Sequence, residues 1–274
     1  MSLISSLKRV CLKIWGKITR LFPEKMEKDR TINKWFDETL SQIKPIRMLD
    51  LSLIGILNCA RKYCNGILVL LGNHHKMPAA ALLRILCELY VKVLWCFQES
   101  DKADEPDKDS IIFQRFQRWD YSRVVEQKKL LKNISSVSFG DYKQTIANIL
   151  KGCEESIEKY KTQKLHCMPN AAQIFKDIPQ AWGMEAYSKV YQRFSGAVHL
   201  DMGLMRETVQ HAGEQIQCFS DPPSYKTNEL LLYCISIACD INSLLRRHYG
   251  WDSDEIQYEY DTIARELDKK KKDD

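Results

Sequence analysis

The sequence predicts an all-α protein: a helical bundle preceded by a basic amphipathic arm. Apolar residues recur at the 3–4 spacing of a helix face along nearly all of the 274 residues. No segment shows a convincing strand pattern. Glycine and proline are scarce, 11 and 8, and Pro23, Pro45 and Pro78 fall at the ends of periodic runs. A chain of this length can bury a core without disulfides. Its 45% hydrophobic and 28% charged residues are ordinary globular composition.

Residues 1–22 form the arm. Leu3, Leu7, Val10, Ile14, Ile18 and Leu21 make one apolar stripe, Lys8, Arg9, Lys13, Lys17 and Arg20 lie off it, and Trp15 lies on or near it. Residues 23–47 hold a short helix, expected over 31–43, with Trp35, Phe36, Leu40 and Ile43 inward and Pro45 as its stop. The main bundle is residues 48–250. Within it the periodicity predicts helices over 48–71, 79–98, 110–131, 139–164 and 184–200, with short pieces over 168–183. Residues 201–211 are expected to continue the helix after a bend, and 215–223 to be irregular. A long buried helix over 225–249 ends at Gly250. Residues 251–274 read as a charged helix and a tail. None of these helices reads as a membrane span: 77–97 carries Arg84, Glu88 and Lys92, and the run 230–238 is short and followed by Asp240.

The net charge is +5, and the arm's five basic residues account for it. They leave 36 basic against 36 acidic residues in the rest of the chain. A neutral body gives no sign of a broad nucleic-acid face and leaves a local basic groove open. The arm has two readings. Its composition suits an interfacial helix on an anionic membrane or in a partner's groove, and equally a terminal helix packed on its own body. The expected location is therefore cytoplasmic, peripheral at the inner face of the membrane on the first reading. The arm has no small-residue cleavage site after a pure apolar core, so it is not read as a signal peptide.

Ten cysteines make no CxxC. Cys59, Cys64, Cys87, Cys96, Cys234 and Cys239 lie in apolar helical runs and are expected to be small buried hydrophobes and reduced. His74 and His75 are adjacent without a second ligand pair. No metal and no cofactor is expected.

Two apolar helices carry polar groups that a plain core helix would not choose. Arg84 and Glu88 sit at i, i+4, so they share a face, with Lys92 one turn on. Tyr191, Ser195 and His199 form a second stripe at the same spacing. Each stripe has a structural reading, a satisfied pair or a satisfied core histidine, and a functional one, a pocket with proton-transfer groups. A serine one turn from a histidine on one helix is poor geometry for a nucleophile and its base, so a serine hydrolase is not proposed.

This pattern resembles a group of uncharacterised bacterial all-helical proteins, a domain of unknown function. It consists of Arg-x-x-x-Glu on an early apolar helix, an Arg-Trp-Asp-Tyr helix, and a late Tyr-x-x-x-Ser-x-x-x-His. Arg84, Glu88, Arg115, Asp120, Tyr121, Tyr191, Ser195 and His199 stand at the matching positions. The resemblance covers residues 48–249 and implies a helical bundle with a shared polar centre. A second resemblance, carried by Arg193-Phe-Ser-Gly-Ala-Val-His199, is to HEPN-type ribonucleases, small helical dimers that use an Arg-x4–6-His motif without metal. Here Phe194 stands where a polar residue commonly follows the arginine. This resemblance implies a metal-independent ribonuclease, of a toxin or phage-defence system, and a homodimer. In it His199 is the acid/base, Arg84 or Arg193 binds phosphate, and Glu88 orients its neighbours. Arg115, Asp120, Tyr121, Tyr191 and Ser195 are candidate ligand-binding residues. The expected partner is RNA or a nucleotide. The rival is a non-enzymatic module tethered to an anionic membrane or a partner through Lys8, Arg9, Lys13, Trp15, Lys17 and Arg20.

Overall fold

Helices are set by the apolar periodicity, and the computed structural model places them almost where that periodicity predicts. It describes residues 23–98, 107–135, 142–177, 187–199, 209–212, 215–218 and 224–270. The helices are α1 (Pro23–Gln42), α2 (Met48–Gly72), α3 (Lys76–Phe97), α4 (Asp107–Ser135), α5 (Tyr142–Thr162) and α6 (Ala171–Asp177). A π-helical turn, Tyr187–Gln192, runs into α7 (Arg193–His199), and α8 (Thr227–His248) and α9 (Asp254–Lys270) follow. The described residues are all-α apart from one short antiparallel hairpin, β1 (Val209–Ala212) with β2 (Gln215–Cys218), which pairs Gln210 with Gln217.

Three expectations are corrected, one of them that residues 215–223 are irregular, since Gln215–Cys218 is a strand. The short helix expected over 31–43 begins at Pro23, because proline at a first helical position loses no hydrogen bond. The continuation expected over 201–211 does not hold at its end, since Val209–Ala212 is a strand. The arm, with Lys8, Arg9, Lys13, Trp15, Lys17 and Arg20, lies outside the described residues.

The chain divides into two compact units, Met1–Tyr90 with Met184–Asp274, and Val91–Gly183. In the first, α1 and α2 form an antiparallel pair. The Asn33 and Asn65 side chains bond each other at 3.1 Å, and Arg61 reaches Asp37 at 2.5 Å. Helix α8 runs antiparallel to α2. The Cys64 thiol meets that of Cys234 at its centre, and the Tyr249 hydroxyl donates to Asp50 Oδ1 at 2.8 Å at its end. Asp50 also accepts the Arg47 backbone N–H at 2.8 Å, which caps α2. Against the upward push of burial, the bonds from Arg47 and Tyr249 hold this carboxyl down at about 2.

Arg246 of α8 is buried and ties α8 to α1, with Nη2 2.9 Å from Glu38 Oε2 and Nε 3.1 Å from Thr39 Oγ1. Lys34 and Trp35 of α1 both reach Glu259 of α9, at 2.9 and 2.5 Å. The core of this unit is Trp35, Phe36, Leu53, Leu57, Ile67, Leu71, Leu83, Leu86 and the inward face of α8, all fully or nearly fully buried. Gly250, at φ 71°, supplies the left-handed turn after α8 that other residues adopt at a cost.

In the second unit α4 and α5 pair antiparallel. Lys128 meets Glu154 at 2.9 Å and the Tyr160 hydroxyl meets Asp120 Oδ2 at 2.5 Å. Helix α5 is the more polar helix that the sequence predicts, with Cys153 its buried residue. By length and composition alone, α2 and α8 are apolar enough to cross a membrane.

Candidate functional site

Helix α3 turns Ala79, Ala80, Leu83, Leu86 and Cys87 into the core. Arg84 and Glu88 are therefore left at the edge of that buried face, at helical spacing four. Their side chains keep 14% and 26% of their surface exposed. Arg84 Nη1 donates to Glu88 Oε2 at 2.9 Å. Its Nη2 donates to the Tyr191 hydroxyl at 2.6 Å, and the guanidinium carbon lies 4.3 Å from the centre of the Tyr191 ring. Cation–π attraction and a hydrogen bond thus act on the same pair. Arg84 Nε is buried and makes no hydrogen bond among the described residues.

Tyr191 sits in the π-helical turn before α7. Such turns put one residue too many into a helix and displace a backbone carbonyl from its usual partner. Here Ser195 Oγ donates to the Tyr191 carbonyl at 2.5 Å. The hydroxyl is engaged with backbone, as expected for a helical serine bonding one turn back.

Two positions away from Tyr191 the helix turns its other side toward α8. Arg193 forms an ion pair with Glu229 through Nη1 and donates to the Ser224 carbonyl at 2.9 Å through Nη2. Phe194 is fully buried, edge-on to Tyr225 and Tyr233 with ring centres 5.4 and 6.3 Å away. Packing accounts for Phe194: its ring anchors α7 on α8.

The two predicted stripes therefore meet through Arg84 and Tyr191, with Glu88 and Ser195 each one bond further out. Arg193 does not join them. The backbone of His199 ends α7, and its side chain lies outside the described residues. Arg115, Asp120 and Tyr121 belong to the second unit and serve its packing. Arg115 Nη1 donates to the Trp95 carbonyl and its guanidinium covers the Trp95 ring at 5.0 Å. Asp120 accepts from Tyr160 and from Arg123, and Tyr121 packs on Tyr160. Burial and the bond to Asp120 together push the Tyr160 phenol up to about 12, against the charge of Arg123.

Burial pushes the Cys87 thiol, beside Arg84 and Glu88, up to about 12. It is protonated at neutral pH and is no nucleophile. Cys64, Cys96, Cys234 and Cys239 are buried as expected, whereas Cys59 is exposed, because its side of α2 faces outward.

One polar pair was missed by the sequence reading. Tyr90 of α3 donates its hydroxyl to Asp240 of α8, and the other carboxylate oxygen of Asp240 is buried without a hydrogen bond among the described residues. Burial raises this carboxyl to about 6, against the Tyr90 bond and the charge of Arg247. A lone aspartate inside the apolar helix 225–249 was the available signal.

A helical protein with an arginine–glutamate–tyrosine centre is what the fold and site define. The family model named Family of unknown function (DUF5677) matches residues 50–216. The chain belongs to this family. The match takes in Arg84, Glu88, Arg115, Asp120, Tyr121, Tyr191, Ser195 and His199, and leaves out α1, α8 and α9. No curated protein and no solved structure matches the chain.

Proposed function

We propose that the centre formed by Arg84, Glu88 and Tyr191 binds a phosphate group of RNA or of a nucleotide. In its fullest form it is the centre of a HEPN-like, metal-independent ribonuclease of a toxin or phage-defence system. The observation that carries this reading is the state of Arg84. Two of its nitrogens are fixed by Glu88 and Tyr191, so the guanidinium is pre-oriented. Its Nε–H is a buried donor without a hydrogen bond among the described residues, where a charge-assisted bond to phosphate is strong. Arg193 already has Glu229 and the Ser224 carbonyl, which makes Arg84 the better phosphate ligand of the two.

In such a reaction the ribose 2′-hydroxyl attacks the adjacent phosphorus and the bond from phosphorus to the 5′-oxygen breaks. A base takes the 2′ proton and an acid supplies one to the leaving oxygen. His199, one helical turn beyond Ser195, is assigned this proton transfer, Arg84 the charge on the phosphate, and Glu88 the aim of Arg84. The test is RNA turnover by the full-length protein. His199→Ala is expected to lower it by about 10²–10⁴-fold with stability unchanged. Equal turnover by the variant would remove the proposal.

A second reading is favoured by the same contacts. Ser195 bonds backbone and Glu88 bonds Arg84, as they would in a centre that only fixes helix register. The protein is then a non-enzymatic interaction module, to which tethering of the arm on an anionic membrane or a partner belongs. Loss of stability in Arg84 and Tyr191 variants, with no RNA bound by the parent protein, would favour it.

A further inference from the structure

In the hairpin of α4 and α5, positive charge and apolar surface lie on opposite sides. By sequence, residues 127–153 hold Lys128, Lys129, Lys132, Lys143 and Lys151 against one acid, Asp141. The rest of residues 23–274 is left with a net negative charge, so the positive excess of the body is gathered at this end of the hairpin. Helix α5 has α4 as its neighbour, and no other described element packs along it. Cys153 is its buried residue among those described. Three apolar or aromatic side chains stand in water: Leu130 is 60% exposed, Tyr142 69% and Ile149 39%. A side chain placed at Gly152, one turn from Ile149, would meet nothing within 4 Å.

The ion pair of Lys128 with Glu154, 2.9 Å long, marks one side of the hairpin. Lys132 lies about 40° and Lys129 about 100° round α4 from Lys128, and Lys143 about 20° round α5 from Glu154. The lysines therefore share that side and its outer edge. Leu130 lies about 200° round α4 from Lys128, and Ile149 about 140° round α5 from Glu154. Both turn to the other side, and Tyr142, two turns before Ile149, turns with them. This is the division of an interfacial amphipathic element, with lysines on the polar face and leucine, isoleucine and an aromatic ring on the other.

We infer that the α4–α5 hairpin lies in the surface of an anionic phospholipid bilayer, with Leu130, Tyr142 and Ile149 among the headgroups. RNA on the lysine side would leave the leucine and isoleucine in water. A second copy on the apolar side would gain nothing from the lysines. A negatively charged bilayer uses both. The apolar side chains leave water, and the lysines, about one helix diameter of roughly 10 Å away, act on the headgroup charge within about one Debye length. This inference rests neither on the reading of the polar centre nor on the arm.

The test is flotation of the full-length protein with vesicles of phosphatidylcholine and phosphatidylserine, beside vesicles of phosphatidylcholine alone. The protein is expected to float with the first and not with the second. Leu130→Glu with Ile149→Glu is expected to lower the bound fraction about tenfold or more, and Lys129→Glu with Lys132→Glu to lower it as well, with thermal midpoints unchanged because these side chains are exposed. A second measurement needs no variant. Tyr142 and Tyr258 are almost equally exposed, at 69% and 70%. The mixed vesicles are expected to slow iodination of Tyr142 several-fold and to leave Tyr258 unchanged, as read by peptide mass spectrometry. Three results would overturn the inference. The first is flotation that both double variants retain, with the two tyrosines iodinated alike, which assigns vesicle binding to the arm. The second is a parent protein that ignores vesicles and binds an oligoribonucleotide that the lysine variant does not, which assigns the hairpin to RNA. The third is a parent protein that ignores vesicles and dimerises with rising concentration unless Leu130 is replaced, which assigns the apolar side to a second copy.

Discussion

Arg84 Nη2 donates to the Tyr191 hydroxyl at 2.6 Å, across 107 positions of sequence, while the same guanidinium lies 4.3 Å from the centre of the Tyr191 ring. This one pair joins α3 to the turn before α7. It turns two separate polar stripes into a centre.

The pair should be energetically coupled. Arg84→Ala removes the guanidinium that Glu88 meets at 2.9 Å and is expected to cost about 1–3 kcal/mol. That is below the roughly 3–5 kcal/mol of a fully buried pair, because both side chains keep contact with water. A double-mutant cycle of Arg84→Ala and Tyr191→Phe, measured by urea unfolding, is expected to show a coupling of about 0.5–2 kcal/mol. Additive single effects would mean that the contact carries no free energy.

Phe194→Ser tests whether this ring anchors α7 on α8. The ring is fully buried against Tyr225 and Tyr233. Losing it is expected to destabilise the protein by about 3–5 kcal/mol. A thermal midpoint equal to that of the parent protein would contradict the anchoring role.

Arg246 offers a comparison with a deeper ion pair. It is buried, and it holds Glu38, the Thr39 hydroxyl and the Asp252 carbonyl. Arg246→Ala takes from Glu38 its nearer cation, leaving Lys34 at 3.8 Å, and leaves several buried bonds unmade, an expected cost of about 3–5 kcal/mol. This exceeds the loss for Arg84→Ala, and the reverse order in denaturant unfolding would contradict the burial argument.

Asp240 gives stability a defined pH dependence. The groups that act on it are Tyr90 from α3 and Arg247 on its own helix, and its charge is felt by Cys239 and by Tyr260 of α9. Burial raises its carboxyl from 3.8 to about 6 in the folded state. The folded protein then holds more protons than the unfolded chain between these values, so stability falls as pH rises from about 4 to 6. Asp240→Asn keeps an acceptor for Tyr90 and removes the titration. The variant is expected to gain stability over the parent across that window, by about 2–3 kcal/mol at pH 7. A difference that does not change with pH would contradict the assignment. Asp50 has the opposite sign. Its carboxyl is held at about 2, so its contribution is present above pH 4 and is lost as pH falls toward 2.

Helical periodicity made most of the fold legible. The Arg84–Glu88 pair was legible too, since a charged pair on a helix as apolar as α3 had few places to go but the edge of the core. Tyr191 followed from the same spacing argument. Arg193 misled because a motif says nothing of direction: two residues past Tyr191 a side chain points to the other side of the helix, toward Glu229. Asp240 was read as the end of an apolar run, and pattern alone does not reveal that Tyr90 waits opposite it. The hairpin was hidden by its four-residue strands, too short for alternation to register. Gly213 and Glu214 between Val209–Ala212 and Gln215–Cys218 were the usable signal, as a two-residue connection with glycine first favours a hairpin. Cys59 was misplaced because Met48, Leu51 and Val69 set apolar residues on the outward side of α2 as well.

The phosphate reading of the centre is tested most directly by calorimetric titration of the full-length protein with a short oligoribonucleotide, beside Arg84→Lys. Lysine keeps the charge and loses the fixed fork of donors, so binding is expected to weaken about tenfold or more. Thermal stability is expected to change by less than about 1 kcal/mol. Equal affinity in the two proteins, or no binding by the parent, would contradict the account.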